Sequence, residues 1–355
     1  EGASYVYHQE TVRERASALR RELAAVGGFY YSMKANSHPD ILRAIAASGF
    51  GMECVSLEEV RRAREVLGPD VPVVFTPNFC PVAEYGQARE LGAQLVIDGP
   101  AVLSGHPDLF RQSRLGVRLD PGRGLGHHDK VRTAGSRSKF GHPVSQLEEL
   151  AEAARAAEVT VVGLHAHVGS GILDPGAWSR IARTLLEARE QFPEVAWLCV
   201  GGGLGVPETP GQPPLDLGRV QESLAPLAAA LSGVELRMEP GRYLVSEAGV
   251  LIAPVTQVRE KSGVRYAGIS TGMNSLLRPA LYGAWHTIHN LSRLEESPTG
   301  YWQVVGPICE SGDILGRDRW IPDPRPGDVL LIENAGAYGF TMSSRYNLRE
   351  PARDV

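Results

Sequence analysis

Between residues 28 and 240 the chain alternates repeatedly between short apolar runs and longer amphipathic ones. "GFYYSMKAN", "FGMECVS", "VPVVFTP", "AQLVIDG", "RLGVRLDP", "VTVVGLHAHVGSG", "VAWLCVGGGLG" and "VELRMEPGRYLV" read as strands. Segments of helical spacing lie between them, among them "HPDILRAIAASG", "LEEVRRAREVLG" and "PVAEYGQARELG". Strand–helix alternation implies a parallel sheet, and strands this apolar are expected to be buried on both faces. Eight such units over about 250 residues fit a closed (β/α)8 barrel better than an open sheet.

The pattern breaks near residue 242. "GVLIAPVTQVREKSGVRYAGIST", "YWQVVGPIC" and "GDVLLIENAG" read as strands joined by turns rather than by helices. The expected division is a barrel over residues 18–242. Residues 1–17 and 243–355 then form a second, mostly antiparallel β domain. At 355 residues the chain is long enough for both.

Composition narrows the partners. The formal net charge is -5 with no long basic run, which argues against nucleic acid or an anionic membrane. Cys54, Cys80, Cys199 and Cys309 are scattered, without paired or zinc-type spacing, as suits a reducing cytoplasm. No apolar run approaches the ~20 residues of a membrane span, and no signal peptide is visible.

In a barrel of this kind chemistry sits at the C-terminal ends of the strands, and that is where the unusual residues fall. Lys34 ends the first strand and Glu53 lies in the second; His167–Gly171, Gly201–Gly205 and Glu239–Arg242 end later ones. Taken singly each is ordinary: a lysine at a strand exit, a tight turn, a capping carboxylate, a satisfied core histidine. Together they meet one set of needs. A glycine-rich turn offers backbone N–H groups to a phosphate, and Arg242 adds a charged fork to it. Glu239 can hold a ring nitrogen protonated, His167 can stack on a planar ring, and Lys34 can bond an aldehyde. These are the needs of pyridoxal phosphate.

With "YYSMKAN", "GMECVS", "FTPNF", "KVRTAGSRSKFG", "GLHAHVGSGI", "GGGLGVP", "EPGRYLV", "GMNSLLRPALYGAWH", "GPICESGD" and "NAGAYGFTMSSRYN" in this order, the chain resembles the fold-type III pyridoxal-phosphate decarboxylases. Within them it is most similar to the diaminopimelate decarboxylases, in particular the decarboxylase half of bifunctional aspartate kinase/diaminopimelate decarboxylase proteins. The resemblance runs from about residue 4 to residue 350 and includes no kinase segment. It implies an alanine-racemase-like barrel, the β domain, and a cytoplasmic homodimer with shared active sites. The implied reaction is decarboxylation of meso-2,6-diaminopimelate to L-lysine, the last step of lysine biosynthesis.

The resemblance also assigns roles. Lys34 is the Schiff-base lysine, and Cys309 is the proton donor, presented from the partner subunit. Glu53, Arg118, His167, Ser170, Gly201, Gly202, Gly203, Glu239, Gly241, Arg242 and Tyr338 surround the cofactor. Arg278 and Tyr282 take the distal carboxylate and Glu310 the distal ammonium, with Arg242 and Tyr338 also facing substrate. No metal is implied. Thr271 and Gly312 depart from the residues frequent at their positions. Four alternatives stand beside this reading: a decarboxylase of a carrier-bound or secondary-metabolite amino acid, a racemase, a non-catalytic cofactor carrier, and a plain barrel scaffold.

Overall fold

The eightfold alternation closes on itself. In the computed structural model, which describes residues 2–126, 128, 133–135 and 138–355, β1 (Ser4–Tyr7) and α1 (Gln9–Glu22) come first. There follow β2 (Gly28–Ser32), α2 (Pro39–Ala47), β3 (Gly51–Cys54), α3 (Leu57–Leu67), β4 (Val73–Phe75), α4 (Ala83–Glu90) and β5 (Gln94–Ile97). Two short helices, α5 (Pro100–Gly105) and α6 (Pro107–Phe110), lead to β6 (Arg114–Asp120), the two-residue β7 (His142–Pro143) and α7 (Leu147–Ala156). Then come β8 (Thr160–His165), α8 (Ala177–Ala188), β9 (Trp197–Cys199), α9 (Leu217–Ala230) and β10 (Glu235–Met238). Parallel pairing runs β5–β4–β3–β2–β10–β9–β8–β6, and β6 returns to β5 through Val96↔Gly116 and Ile97↔Val117. The expected (β/α)8 barrel is therefore formed. Of the "KVRTAGSRSKFG" segment, Lys130, Val131, Arg132, Ser136 and Arg137 lie outside the described residues.

Local chemistry explains the elements. His38 caps α2 by accepting from the Asp40 N–H, with Pro39 in the first turn, and Ile41, Leu42, Ala44 and Ile45 form the buried face. In α3 the Ser56 hydroxyl accepts from the Glu59 N–H while the Glu59 carboxylate accepts from the Val55 N–H at 2.7 Å, a reciprocal cap. Inside the barrel, Trp197 packs with Tyr30, Val74, Val96 and Cys199. Its indole lies where a Cβ on Gly163 would be 1.9 Å away and one on Gly116 2.5 Å away, so both strands need glycine there.

Two segments read as strand in the sequence leave the sheet early. β2 ends at Ser32, and Met33–Ala35 make a 3-10 turn closed by the Asn36 N–H on the Met33 carbonyl. β10 ends at Met238; Pro240 removes a donor, and the chain re-forms as the short α10 (Arg242–Val245). The two breaks place Lys34 and Glu239 at the strand ends rather than within the sheet.

The remaining strands are β11 (Gly249–Lys261), β12 (Val264–Ile269), β13 (Ile288–Asn290), β14 (Gly300–Val305), β15 (Ile314–Ile321), β16 (Val329–Ile332) and β17 (Arg353–Asp354), with a helix α11 (Arg278–Tyr282) after β12. They order β13–β16–β11–β12–β14–β15, antiparallel except for β12–β14, and β1 pairs with β11 and β17. Tyr5, Leu251, Ala253, Ile269, Val304, Leu330 and Ile332 fill this sheet's core. The chain divides into two compact units: Glu1–Val12, Val206–Pro213 and Leu244–Val355 make the β unit, and Arg13–Gly205 with Pro214–Tyr243 make the barrel unit. No helix among the described residues is long and apolar enough to cross a membrane.

Candidate active site

In the barrel unit a cluster of charged groups gathers where the strands end. Lys34, in the turn after β2, sets its Nζ 2.5 Å from the Glu53 carboxylate on β3. Glu53 is 2 % exposed; its other partners are the Ser32 hydroxyl at 2.6 Å and the Thr76 hydroxyl. Burial opposes its ionisation, but the Lys34 charge and these three hydrogen bonds outweigh it and hold the carboxyl well below the usual range. The Ser32 hydroxyl also lies 3.1 Å from the Glu239 carbonyl, which brings the first and last barrel strands together beside the lysine.

Glu239, just past β10, is buried and accepts from His165 Nε2 at 2.8 Å. His165 Nδ1 has no hydrogen-bond partner among the described residues. Cys199 completes a buried group whose ligand atoms lie within 4.8 Å of one another. Burial and then the Glu239 charge push the Cys199 thiol well up, so it stays protonated rather than acting as a thiolate ligand. Arg118, on β6, is buried over the Phe140 ring at 4.5 Å, with its Nε 3.9 Å from Asp98.

The glycine turn after β9 has a shape no side chain allows. Gly201 and Gly203 have φ of +68° and +88°. A Cβ on Gly202 would sit 1.9 Å from the Glu239 carbonyl, and one on Gly203 2.4 Å from the Gly169 carbonyl. His167 Nδ1 accepts from the Gly202 N–H at 3.2 Å, which puts the ring proton on Nε2. Burial, then the charges of Arg118 and Lys34, push His167 well below its ordinary value and keep the ring neutral. Arg242 is buried, and its Nε and Nη2 both donate to the Ser170 hydroxyl at 3.2 Å. Gly241 is tightly packed, since a Cβ there would lie 3.0 Å from Ser32 and 3.2 Å from Ala35.

This donor set fits pyridoxal phosphate: a bare glycine turn beside a Ser–Arg pair for a phosphate, a buried carboxylate for a ring nitrogen, a neutral flat imidazole, and an amine held by a counter-ion.

The other residues expected at the site belong to the β unit. Arg278 opens α11 and is 1 % exposed; Tyr282 ends that helix, half-buried. Tyr338 is half-buried with a positive φ of 56°, a strained conformation for a tyrosine and one that clusters at functional sites. Cys309 and Glu310 are exposed on a turn that buried Asp313 shapes, accepting from the Ile308 N–H at 2.7 Å and the Met273 N–H at 2.6 Å. Thr271 closes on Ser275 at 2.5 Å, a packing role within the β unit, and Gly312 belongs to the Cys309 turn.

Sequence reasoning gave no role to Ser32, Thr76, Asp98, His165, Glu208 or His286. Ser32 and Thr76 stand inside "YYSMKAN" and "FTPNF", and His165 lies two residues before His167, on the same face of its strand segment. Glu208 pairs with Arg278 and carries no local signal.

Comparison with known proteins agrees with this chemistry. Residues 9–246 match the family model described as pyridoxal-dependent decarboxylase, pyridoxal binding domain. The diaminopimelate decarboxylase of Methanothermobacter thermautotrophicus is 34% identical, over 99% of this chain and 85% of that protein. That of Deinococcus radiodurans is 36% identical, over 99% of this chain and 89% of its own length. Among solved structures, diaminopimelate decarboxylase from Helicobacter pylori complexed with L-lysine superposes with a TM-score of 0.90 at 29% identity, covering 99% of this chain and 90% of that one.

Proposed function

Since the chain belongs to the pyridoxal-dependent decarboxylases, we propose that it removes one carboxyl group from meso-2,6-diaminopimelate to release L-lysine and carbon dioxide, the last step of lysine biosynthesis. The observation that carries this is the ion pair of Lys34 with buried Glu53 on the same barrel unit as the glycine turn and the Ser170–Arg242 pair. Full-length similarity to diaminopimelate decarboxylases supports the substrate.

When bound, pyridoxal phosphate supplies an aldehyde for the substrate amine and a ring that takes up the electron pair left as carbon dioxide departs. The protein's residues do the rest. Lys34 Nζ holds the cofactor by its aldehyde carbon, and Glu53, Ser32 and Thr76 keep that amine in place. Gly201, Gly202 and Gly203, with Ser170 and Arg242, receive the phosphate. Glu239, itself oriented by His165, keeps the ring nitrogen protonated so that negative charge can accumulate there. His167 offers a neutral ring face, and Arg118 lines the ring pocket. Tyr338 joins the phosphate set.

Arg278 and Tyr282 receive the distal carboxylate, and Glu310 meets the distal ammonium. Cys309 of the partner subunit returns a proton to the carbon in a homodimer with shared sites. Exposure of the Cys309 turn in the single chain supports this, because a proton donor needs a dry setting that a second chain provides. Four free thiols accord with a cytoplasmic enzyme.

The test is an end-point assay with added pyridoxal phosphate, in which meso-diaminopimelate, lysine, ornithine and glutamate are offered separately. Lysine formed from diaminopimelate alone is the expected result. A bound cofactor with no turnover of any free amino acid would instead point to a carrier-bound or secondary-metabolite substrate.

A further inference from the structure

The arginine assigned to the distal carboxylate already has a carboxylate. Arg278 Nη2 donates to Glu208 Oε1 at 2.5 Å, within the β unit. Its Nη1 points at His286 Nε2, 3.1 Å away. A guanidinium only donates, so that ring nitrogen is bare and the imidazole proton sits on Nδ1, which reaches the Glu333 carbonyl at 2.7 Å. Arg278 thus donates to both sides, to Glu208 directly and through His286 toward the Glu333 carbonyl, and these bonds fix the plane of the guanidinium. Arg278 Nε is buried and has no hydrogen-bond partner among the described residues, so one donor remains unspent.

An arginine that is 1 % exposed cannot be left without a counter-charge at small cost. Glu208 answers that need before any substrate arrives, and it also changes what the pair recognises. A lone buried arginine selects a carboxylate. An arginine held against a glutamate presents a plus and a minus side by side, the complement of an α-amino-acid zwitterion. The far end of meso-diaminopimelate is such a zwitterion; the far end of lysine or ornithine brings only the ammonium, and that of 2-aminopimelate only the carboxylate.

We infer that Glu208 is a specificity-determining residue, which orients Arg278 and accepts the distal ammonium of the substrate. This rests on the reading that Arg278 and Tyr282 take the distal carboxylate. It adds a second acceptor from the chain's own β unit beside Glu310.

The test compares two substrates that differ by one amino group, meso-diaminopimelate and 2-aminopimelate, on cofactor-loaded enzyme. The parent should favour diaminopimelate at least about tenfold in kcat/KM, because 2-aminopimelate brings no ammonium to the Glu208 carboxylate. Glu208→Gln should raise KM for diaminopimelate about 10- to 100-fold, with kcat changed much less and 2-aminopimelate use unchanged or improved, so that the preference collapses. Glu208→Asp, which keeps the charge, should retain most of the preference. Arg278→Met should lose both substrates. Turnover of diaminopimelate by Arg278→Met at the parent rate would overturn the distal-carboxylate reading itself. Loss in Arg278→Met, together with an equal fall for both substrates in Glu208→Gln, would overturn the role of Glu208 alone. If Glu208→Gln does not fold, the parent decides: equal use of the two substrates overturns the inference without any variant.

Discussion

The barrel unit and the β unit build their functional groups in opposite ways. In the barrel, each reactive side chain sits at or near a strand end and is held by a residue from another strand end: Lys34 by Glu53, Glu53 by Thr76, Glu239 by His165. Closure of the sheet brings these ends together, so geometry fixed by backbone pairing becomes geometry of chemistry. In the β unit the groups sit on turns and on one short helix, and they divide sharply by exposure. Arg278 is sealed and paired, whereas Cys309 and Glu310 stand in solvent. The barrel gathers its groups inward at the strand ends, while the β unit leaves Cys309 and Glu310 facing outward.

Removing Lys34 should break the barrel side of that contrast most severely. Lys34→Ala is expected to lower kcat by about 10^3-fold or more and to abolish the borohydride-reducible bond to the cofactor. Decarboxylation near the parent rate would mean that the pair with Glu53 is structural only. The outward-facing side is tested by mixing. Cys309→Ala should cost about 10^2- to 10^4-fold on its own. Unfolded and refolded together, Lys34→Ala and Cys309→Ala chains should regain about a quarter of parental activity, because a mixed dimer holds one intact site. No regain on mixing would place Cys309 in the site of its own chain.

The same contrast governs what the sequence reveals. The barrel was legible because its periodicity is a direct image of the fold: buried parallel strands must be apolar throughout, and their ends must be where polarity resumes. Lys34, the "GGGLG" turn and "EPGR" stood out for that reason. Ser32 and Thr76 did not, since a hydroxyl serves equally well as a turn former, and only the pairing of Ser32 with Glu53 across β2 and β3 shows its use. Arg278 was singled out through family resemblance and not through pattern. Glu208, 70 residues away along the chain, becomes its partner only because Val206–Pro213 packs with the β unit, a long-range fact that no local periodicity encodes.

The glycine turn offers a finer test of the barrel's self-sufficiency. Gly203→Ala must place a Cβ 2.4 Å from a carbonyl oxygen at a φ of +88°, so the turn has to move. The strands are untouched by this, and the barrel should still fold, at a cost of about 1–3 kcal/mol. Cofactor affinity should fall about tenfold or more, read by titration of pyridoxal phosphate absorbance. An unchanged affinity would mean that the phosphate is held chiefly by Ser170 and Arg242.

The smallest expected effect lies next to the lysine. Glu59 caps α3, and burial raises its carboxyl to about 7, against a lowering by the Val55 N–H and the Lys34 charge. An acid whose folded pKa lies above its unfolded value, about 4.3, binds more protons when folded between those two values, so its contribution to stability declines as pH rises from about 4.3 to about 7 and stays low above that. Glu53 has the opposite sign: its folded value is depressed, so its contribution is present above about 4.3 and is lost as pH falls through the folded value. Glu59→Gln keeps an acceptor for the Val55 N–H without the charge. It should therefore stabilise the protein at pH 8 by on the order of 1 kcal/mol, allowing for partial solvent access, and change little at pH 4.5. Thermal unfolding of parent and variant at the two pH values measures this. A gain of equal size at both would trace the effect to helix propensity, and a loss at both would show that the ionised carboxylate is needed to hold α3 against the strand that carries Glu53.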